Sequence, residues 1–348
     1  MKGATGWLNP FWQLLLMRLR GFAREPSATF WVFVFPLLMS VVLGLAFRNQ
    51  AGTRLSVAVT EGPERAAVIA ALRVSDGLTP TEMTADEARE ALRKGKVALA
   101  VVPETTPRVL LDPTQPDARS ARLLVVDALE RAAGRTDPRP LAEERVTLPG
   151  RRYIDFLVPG LLGFGLMSSS IWGLGWAIVQ MRMGKLLRRL AATPMRRLDF
   201  LLAFATGRLL LAFLEVIFFL VFARLIFDVR VAGNPLTFVL WGLFGALCFG
   251  GVSALVASRA QTSETANGLM NLVTLPMTVL SGVFFSASHF PGWSQPLIRA
   301  LPLTALIDGL RAISIDGAGV TALLAPAGVL VVWGVGGFAL ALRLFRWT

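Results

Sequence analysis

Six long apolar stretches limit what this chain can fold into. One stands alone near the start, and five follow a segment of about a hundred charged, soluble-looking residues. A hydrocarbon core roughly 30 Å thick is crossed by about 20 apolar residues of helix. The stretches are Phe30–Phe47, Ile154–Val179, Leu198–Phe227, Leu236–Ala257, Thr265–Phe285 and Val320–Leu342. The sequence therefore predicts a mainly α-helical membrane protein with six transmembrane helices, five of them within residues 153–348.

The composition agrees with membrane insertion. Hydrophobic residues make up 54% of the chain and charged residues 17%, a balance outside the range of soluble globular domains. The net charge of +12 is explained by Lys and Arg in short connections, as in cytoplasmic loops of membrane proteins. We therefore expect membrane lipid around this chain and no nucleic acid as a partner. The single cysteine, Cys248, lies inside an apolar stretch, which excludes a disulfide framework.

The basic residues also predict the orientation. Three clusters fall on one face if the chain crosses six times, and the positive-inside rule makes that face cytoplasmic. Both termini are then expected in the cytoplasm, and residues 48–152 outside it. The clusters are Lys2, Arg18, Arg20 and Arg24; Arg182, Lys185, Arg188, Arg189, Arg196 and Arg197; and Arg343 and Arg346.

Two segments outside the spans have recognisable patterns. Within residues 1–29, aromatic and leucine side chains alternate with Arg18 and Arg20, which is typical of a helix lying in the cytoplasmic interface with its arginines at the headgroups. A partly disordered lead-in is the open alternative. Residues 48–152 interleave strands with helices, which predicts a small α/β or α+β domain. The predicted strands are Arg54–Thr60, Val97–Val102 and Arg108–Leu111, and the helices Pro63–Arg73, Ala85–Arg93 and Asp117–Ala133.

The sequence offers few residues that could take part in catalysis. Residues 48–152 contain no Ser/His/Asp nucleophile set, no residues at metal-ligand spacing and no glycine-rich phosphate-binding loop. We therefore predict neither catalytic nor metal-binding residues. A phosphate-binding loop needs G-x-x-x-x-G-K-[S/T], and neither Gly95-Lys96 nor Gly184-Lys185 completes it. We expect a chain that does not hydrolyse ATP and carries no cofactor of its own.

Two segments carry a family resemblance. The first is Gln180–Phe200 (QMRMGKLLRRLAATPMRRLDF); the second is Leu255–Arg311, with LVASRAQTSETANG, LPMTVLSGVFFSASHFPGW and LPLTALIDGLR. Both resemble the permease subunits of ABC-2-type exporters, which have an RL-x-A/T-TP loop after the second span and an SGVFF…P…W element after the fifth. LDPTQPDARSA resembles the external domain of the multidrug-type branch. One departure is Arg182-Met183-Gly184, where members commonly have an acid just before the glycine.

The resemblance implies an export pump in a bacterial cytoplasmic membrane. Two permease chains, identical or closely homologous, would pair with two ATPase chains that hold ATP and Mg²⁺. The loop 180–199 would be the contact with the ATPase, although its arginines could instead bind anionic lipid headgroups. The predicted coupling residues are Gly184, Lys185, Leu186, Arg188, Arg189, Leu190, Thr193 and Pro194.

Polar residues inside the spans are candidates for a translocation path or a dimer seam. Arg208 and Glu215 in the third span are separated by about 10 Å of helical rise, which predicts no direct pair and a partner for each on another helix or in water. We also expect Arg208 to reach the cytoplasmic side. In the fifth span, one face carries a polar line that either bonds neighbouring helices or lines a wet path. Its members are Glu264, Asn267, Asn271, Thr274 and Thr278.

The remaining apolar segment, residues 286–311, contains Pro291, Pro296 and Pro302 and is too irregular to span. It predicts short helices dipping into the outer leaflet. The function expected from all these features is export of an amphiphilic drug, lipid or lipid-linked molecule. Two alternatives stay open: an ion-coupled secondary transporter, and a membrane-anchored ligand-binding or sensor protein.

Overall fold

The structure is a computed structural model that describes residues 10–46, 54–136, 152–186, 189, 197–260 and 262–344. The chain divides into two compact units. The larger comprises Met1–Phe47 with Thr147–Thr348, and the smaller comprises Arg48–Val146.

The larger unit is helical throughout its described part. Two π-helical segments, Phe30–Val34 and Ser169–Gly175, interrupt otherwise α-helical rods, and short 3₁₀ turns precede the last helices. Numbered along the whole chain, the α-helices of this unit are α1 (Pro10–Ala23), α2 (Pro26–Thr29), α3 (Phe35–Ala46), α7 (Tyr153–Ser168), α8 (Trp176–Met183), α9 (Arg197–Phe227), α10 (Pro235–Arg259), α11 (Ser263–Leu280), α12 (Gln295–Arg299), α13 (Pro302–Ser314) and α14 (Leu324–Leu344).

Four helices in the described part of the chain are long and apolar enough to cross a membrane. They are Tyr153–Met183, Leu202–Phe227, Pro235–Arg259 and Val320–Leu344, and they coincide with the second, third, fourth and sixth predicted spans. Phe30–Ala46, at the first predicted span, is a shorter apolar helix. These helices make the chain a multi-pass α-helical membrane protein.

The fifth predicted span has a different boundary from the expected one. Helix α11 ends at Leu280, five residues before Phe285. The chain turns there because Gly282 has a φ of +74°, a conformation that glycine adopts without steric cost. Beyond the turn, two 3₁₀ turns and the helices α12 and α13 confirm the expected broken, short-helical segment.

Helices α10 and α14 pack closely at a point where both have glycine residues. A Cβ atom on Gly251 would lie 2.2 Å from the carbonyl oxygen of Gly334, and one on Gly337 would lie 3.1 Å from the Gly251 carbonyl. Small residues permit this approach, which is how membrane helices gain packing energy without a hydrophobic driving force between them.

We expect Gly251→Ala to destabilise the helical unit by about 1–3 kcal/mol or more, because backbone atoms of α14 must move to admit the methyl group. Thermal unfolding of the purified protein in detergent measures this. The control is Gly250→Ala, whose Cβ would meet only Leu174, at 3.8 Å. Equal stability of the two variants would contradict the close-packed seam.

The smaller unit is an α/β fold. Its strands are β1 (Leu55–Val59), β2 (Leu78–Glu82), β3 (Leu99–Val102) and β4 (Arg108–Leu110), and its helices α4 (Arg65–Val74), α5 (Ala85–Arg93) and α6 (Ala118–Ala132). The sheet order is β2-β1-β3-β4; β1 pairs in parallel with β2 and β3, and β4 is antiparallel to β3. Buried Val57, Leu72, Leu99 and Val125 belong to its core.

The sequence missed strand β2. Its residues, LTPTE, have no apolar alternation, and Pro80 is tolerated because β2 is an edge strand. The predicted helix at Ala85 is confirmed, and it begins with a capping box in which Thr84 and Glu87 bond reciprocally. The backbone and hydroxyl hydrogen bonds from Thr84 hold the pKa of the Glu87 carboxyl below its ordinary value.

Candidate functional site

A cavity of about 1100 Å³ opens in the helical unit. This is slightly above the usual range for drug-sized ligands, roughly 300–1,000 Å³. Helix α1, both π-helical segments and parts of α7, α8, α9 and α11 contribute to its wall. The aromatic lining residues are Phe22, Trp31, Phe35, Phe164, Trp172, Trp176 and Phe204. Such a wall suits a large, mainly apolar molecule.

A few polar groups interrupt this aromatic wall. Ser168, Ser169, Gln180 and Asn267 line the cavity together with two charged side chains, Arg18 and Glu25. This combination of a mostly apolar surface and a few polar groups is the usual form of a small-molecule site.

The Arg18 side chain contacts other helices of the unit, which the predicted position at the lipid headgroups did not include. Its Nη2 donates a hydrogen bond of 3.0 Å to the carbonyl of Gly173, and its guanidinium lies 5.5 Å from the ring centroid of Phe204. The reason is the packing of α1 on α9, where the Arg18 stem fits beside Gly207. Arg20, in contrast, is exposed.

A buried ion pair lies behind the cavity wall. Arg208 Nη1 is 3.7 Å from Glu215 Oε2, and both side chains are less than 5% exposed. The prediction that they are too far apart for a direct pair was therefore wrong. Arg208 bonds inside the helical unit and does not extend to its surface. Two long side chains leaning toward each other along α9 close the gap that the rise between their Cα atoms creates.

The same pair confirms that each charge needs a partner on another helix. Arg208 donates to the hydroxyls of Ser170 (2.8 Å) and Ser169 (2.9 Å) and to the carbonyl of Leu166 (2.9 Å). Ser169 donates in turn to Glu215 Oε2 at 2.9 Å. These contacts satisfy charges that would otherwise be expensive inside a membrane.

The π-helical segment Ser169–Gly175 explains why these partners are available. A π-helical turn disturbs the regular helical hydrogen bonding and is frequent at functional sites. Carbonyls in and just before the segment accept side-chain hydrogen bonds: Leu166 from Arg208 and Ser170, and Ser170 from Ser253. The segment is thus held from several helices at once.

Gly165 leaves space for the carboxylate of Glu215. A Cβ atom at this position would lie 2.8 Å from Glu215 Oε1. That oxygen is buried and has no hydrogen-bond partner among the described residues. Because Glu215 Oε2 contacts Ser169, and Ser169 lines the cavity, the buried charges are one side chain away from any bound molecule.

The polar line of the fifth predicted span is only partly turned inward. Asn267 lines the cavity, and Asn267 and Asn271 are both exposed on the single chain. The hydroxyls of Thr274 and Thr278 donate to Met270 and Thr274 carbonyls of their own helix. Both hydroxyls donate within α11 because an i−4 carbonyl is within reach, and interhelical bonding and a wet path both stay predictions for this face.

The predicted coupling loop is described in part. Gly184, Lys185, Leu186 and Arg189 are within the described residues, and Leu186 lines the cavity. Helix α8 ends at Met183, and Lys185 has a φ of 57°, so the chain turns sharply there. Arg188, Leu190, Thr193 and Pro194 lie outside the described residues.

Arg182 belongs to the Arg182-Met183-Gly184 segment that departs from the resembled pattern, and it joins the end of α8 to the end of α10. Its Nη1 donates to the carbonyls of Ala257 (2.7 Å) and Ala260 (2.8 Å) at the end of α10. A cation there satisfies terminal carbonyls and complements the helix dipole. An acidic side chain at position 182 could not donate these hydrogen bonds, so Arg182 has a structural role within this chain.

A second arginine secures the other end of the bundle. Arg311 donates to the carbonyls of Phe156 (3.2 Å and 3.1 Å) and Gly282 (2.7 Å). Its guanidinium lies 3.5 Å from the Phe156 ring centroid. Tyr153 adds a hydrogen bond of 2.8 Å to the Phe284 carbonyl. These contacts join the start of α7 to the end of α11 and to α13.

Sequence reasoning missed the serines and tryptophans of the cavity. The available signal was a run of three hydroxyls, Ser168–Ser170, inside an otherwise apolar stretch, followed by Trp172 and Trp176 one helical turn apart. Such a run has no reason to face lipid, which points to a protein-facing or cavity-facing surface.

Membrane-crossing helices around a ligand-sized cavity, with buried charges beside it, define an integral membrane protein. The family described as ABC-2 family transporter protein matches residues 26–343. This chain belongs to that family. Its members are membrane-embedded permease subunits that normally work with a separate ABC ATPase.

One curated relative is the linearmycin resistance permease protein LnrN of Bacillus subtilis (strain 168). It is 26% identical to this chain over 114 residues, which cover 33% of this chain and 30% of the relative. The aligned part is thus less than a third of that protein's length.

Proposed function

We propose that this chain is the permease subunit of an ATP-driven exporter that moves an amphiphilic molecule outward across a bacterial cytoplasmic membrane. The observation that carries the proposal is the cavity of about 1100 Å³ with its aromatic wall and few charges. In this proposal the chain crosses six times, both termini are cytoplasmic and residues 48–152 lie outside. ATP and Mg²⁺ are bound by the partner ATPase.

The position of the cavity relative to the coupling loop supports a direct mechanism. Leu186, in the loop, and Gln180 and Met181, at the end of α8, all line it. A displacement of the loop 180–199 by an ATPase would therefore move part of the cavity wall. Arg182 would transmit the same displacement to α10 through its two carbonyl contacts.

The cargo is proposed to be a toxic or lipid-like amphiphile. Indole and phenyl rings offer apolar faces with little conformational entropy to lose, so they suit a large apolar body. The partial relative is named for resistance to linearmycin, which agrees with a multidrug or toxin efflux role. A second permease chain, identical or closely homologous, is proposed to cover Asn267 and Asn271 on α11.

Charge reversal in the coupling loop tests the partnership. We expect Arg188→Glu with Arg189→Glu to abolish copurification of the ATPase and to reduce stimulated ATP turnover at least tenfold, because an acidic rim on the partner would repel both. Arg343→Glu, at the far end of α14, is the control. Unchanged copurification and turnover in the double variant would contradict the proposal.

A secondary transporter is the competing function, and the buried carboxylate of Glu215 is the observation that favours it. Uptake into liposomes that contain both subunits, with the ATPase facing outward, separates the two functions. Uptake that vanadate inhibits supports ATP-driven export. Uptake that a proton ionophore abolishes but vanadate does not supports ion coupling.

A further inference from the structure

Two charged neighbours determine which hydrogen bonds the Ser169 hydroxyl donates and accepts. Glu215 Oε2 and Arg208 Nη2 each lie 2.9 Å from its oxygen, and the Leu166 carbonyl lies 3.4 Å away. A serine hydroxyl has one proton and two lone pairs, an arginine only donates, and an ionised carboxylate only accepts. The proton is therefore directed to Glu215, and one lone pair receives the Arg208 donor.

One lone pair of Ser169 is left, and Ser169 lines the cavity. Its hydroxyl can then offer a bound molecule an acceptor but no donor. Ser169 and Trp172 belong to the same π-helical segment and both line the cavity. The acceptor and the indole ring therefore border the same cavity.

We propose that Ser169 determines the specificity of this cavity by accepting a hydrogen bond from a hydroxyl or amine on a ligand whose flat apolar body packs among the aromatic rings. The inference rests on the proposed function of the cavity as the cargo site and names the class of cargo. Arg208 and Glu215 act as positioning residues, since their charges set the direction of the serine proton.

Ser170 provides an internal comparison. It also accepts from Arg208, at 2.8 Å, and it donates to Leu166 at 2.7 Å. It is fully buried and is not part of the cavity wall. Removing its hydroxyl disturbs the same arginine without changing what the cavity presents to a ligand.

A matched pair of fluorescent probes tests the proposal: 1-pyrenebutanol, which has a hydroxyl, and its methyl ether, which has none. The purified full-length chain is placed in lipid nanodiscs, and energy transfer from tryptophan to pyrene reports binding. Partition into protein-free nanodiscs corrects for the different lipid affinity of the two probes. We expect the wild-type protein to bind the alcohol about fivefold more tightly, as one net hydrogen bond implies.

The variants then separate a specific role from a structural one. Ser169→Ala should bind the two probes equally, Ser169→Thr should keep the preference, and Ser170→Ala should keep it as well. Ser169→Cys, a weaker acceptor, should reduce the preference and serves if the alanine variant does not fold. No preference in the wild-type protein, or loss of preference in Ser170→Ala equal to that in Ser169→Ala, would overturn the proposal.

This measurement needs no ATPase. Probe preference without ATP-driven transport would refute the exporter function while leaving the Ser169 assignment intact. ATP-driven transport without probe preference would refute the assignment alone.

Discussion

Replacing Glu215 with alanine is expected to destabilise the helical unit by about 3–5 kcal/mol, because it leaves the buried guanidinium of Arg208 without a counter-charge. Arg208 is only 4% exposed, and the serine and carbonyl groups around it cannot neutralise it. Ser169 would also lose the acceptor of its proton. Thermal unfolding and the monodisperse fraction on size-exclusion chromatography measure the loss.

The double variant Arg208→Met with Glu215→Leu is the matched control. It removes both charges and leaves apolar side chains of similar volume, so it should recover much of the stability that Glu215→Ala loses. Glu215→Gln, which keeps a hydrogen-bonding group of the same shape, should fall between them. A double-mutant cycle gives the coupling energy directly. A Glu215→Ala variant as stable as the wild-type protein would refute the pair's structural role.

Replacing Arg311 with alanine is expected to cost several kcal/mol of stability. The change leaves the carbonyls of Phe156 and Gly282 without the arginine donors they have now, at about 1–3 kcal/mol for each buried group left unsatisfied. It also removes the cation that lies over the Phe156 ring. The unfolding temperature of the purified protein is the measurement.

Arg311→Lys should recover only part of this loss. A lysine ammonium is a point charge without the planar fork that lets one arginine reach two carbonyls and stack on a ring. Arg299→Ala is the control, because Arg299 is exposed in the same irregular segment and should change stability by less than about 0.5 kcal/mol. Full stability of Arg311→Lys would show that charge alone, and not geometry, holds these helix ends together.

The fold was predictable to the extent that it depends on local hydropathy. Four predicted spans correspond to helices of the required length, and the strands of the smaller unit with apolar alternation were located. Strand β2 was missed because its pairing with β1 stabilises a sequence that has no strand pattern of its own. The early end of α11 was missed because a single glycine conformation decides it.

The candidate site was less predictable. The sequence singled out Glu215 and Asn267, which the structure places at or beside the cavity, but it separated Arg208 from Glu215 because Cα rise ignores side-chain length. The contacts of Arg18 with Gly173 and Phe204 were not predicted, because they depend on where α1 meets α9. The serines and tryptophans of the cavity wall were missed, although the hydroxyl run Ser168–Ser170 indicated a surface that faces protein or a cavity.

By itself the sequence determined that this chain enters a membrane, which segments are apolar enough to be candidates for crossing it, and that the printed residues contain no phosphate-binding motif. Each of these properties depends on a short window of residues. The free energy of transfer into hydrocarbon is set by about 20 consecutive residues, and a phosphate-binding loop needs a fixed run of residues. Only the tertiary structure decided that Arg208, Glu215 and Ser169 form one cluster behind an aromatic cavity. Contacts between helices depend on their rotation and relative height, and helical periodicity leaves both undetermined.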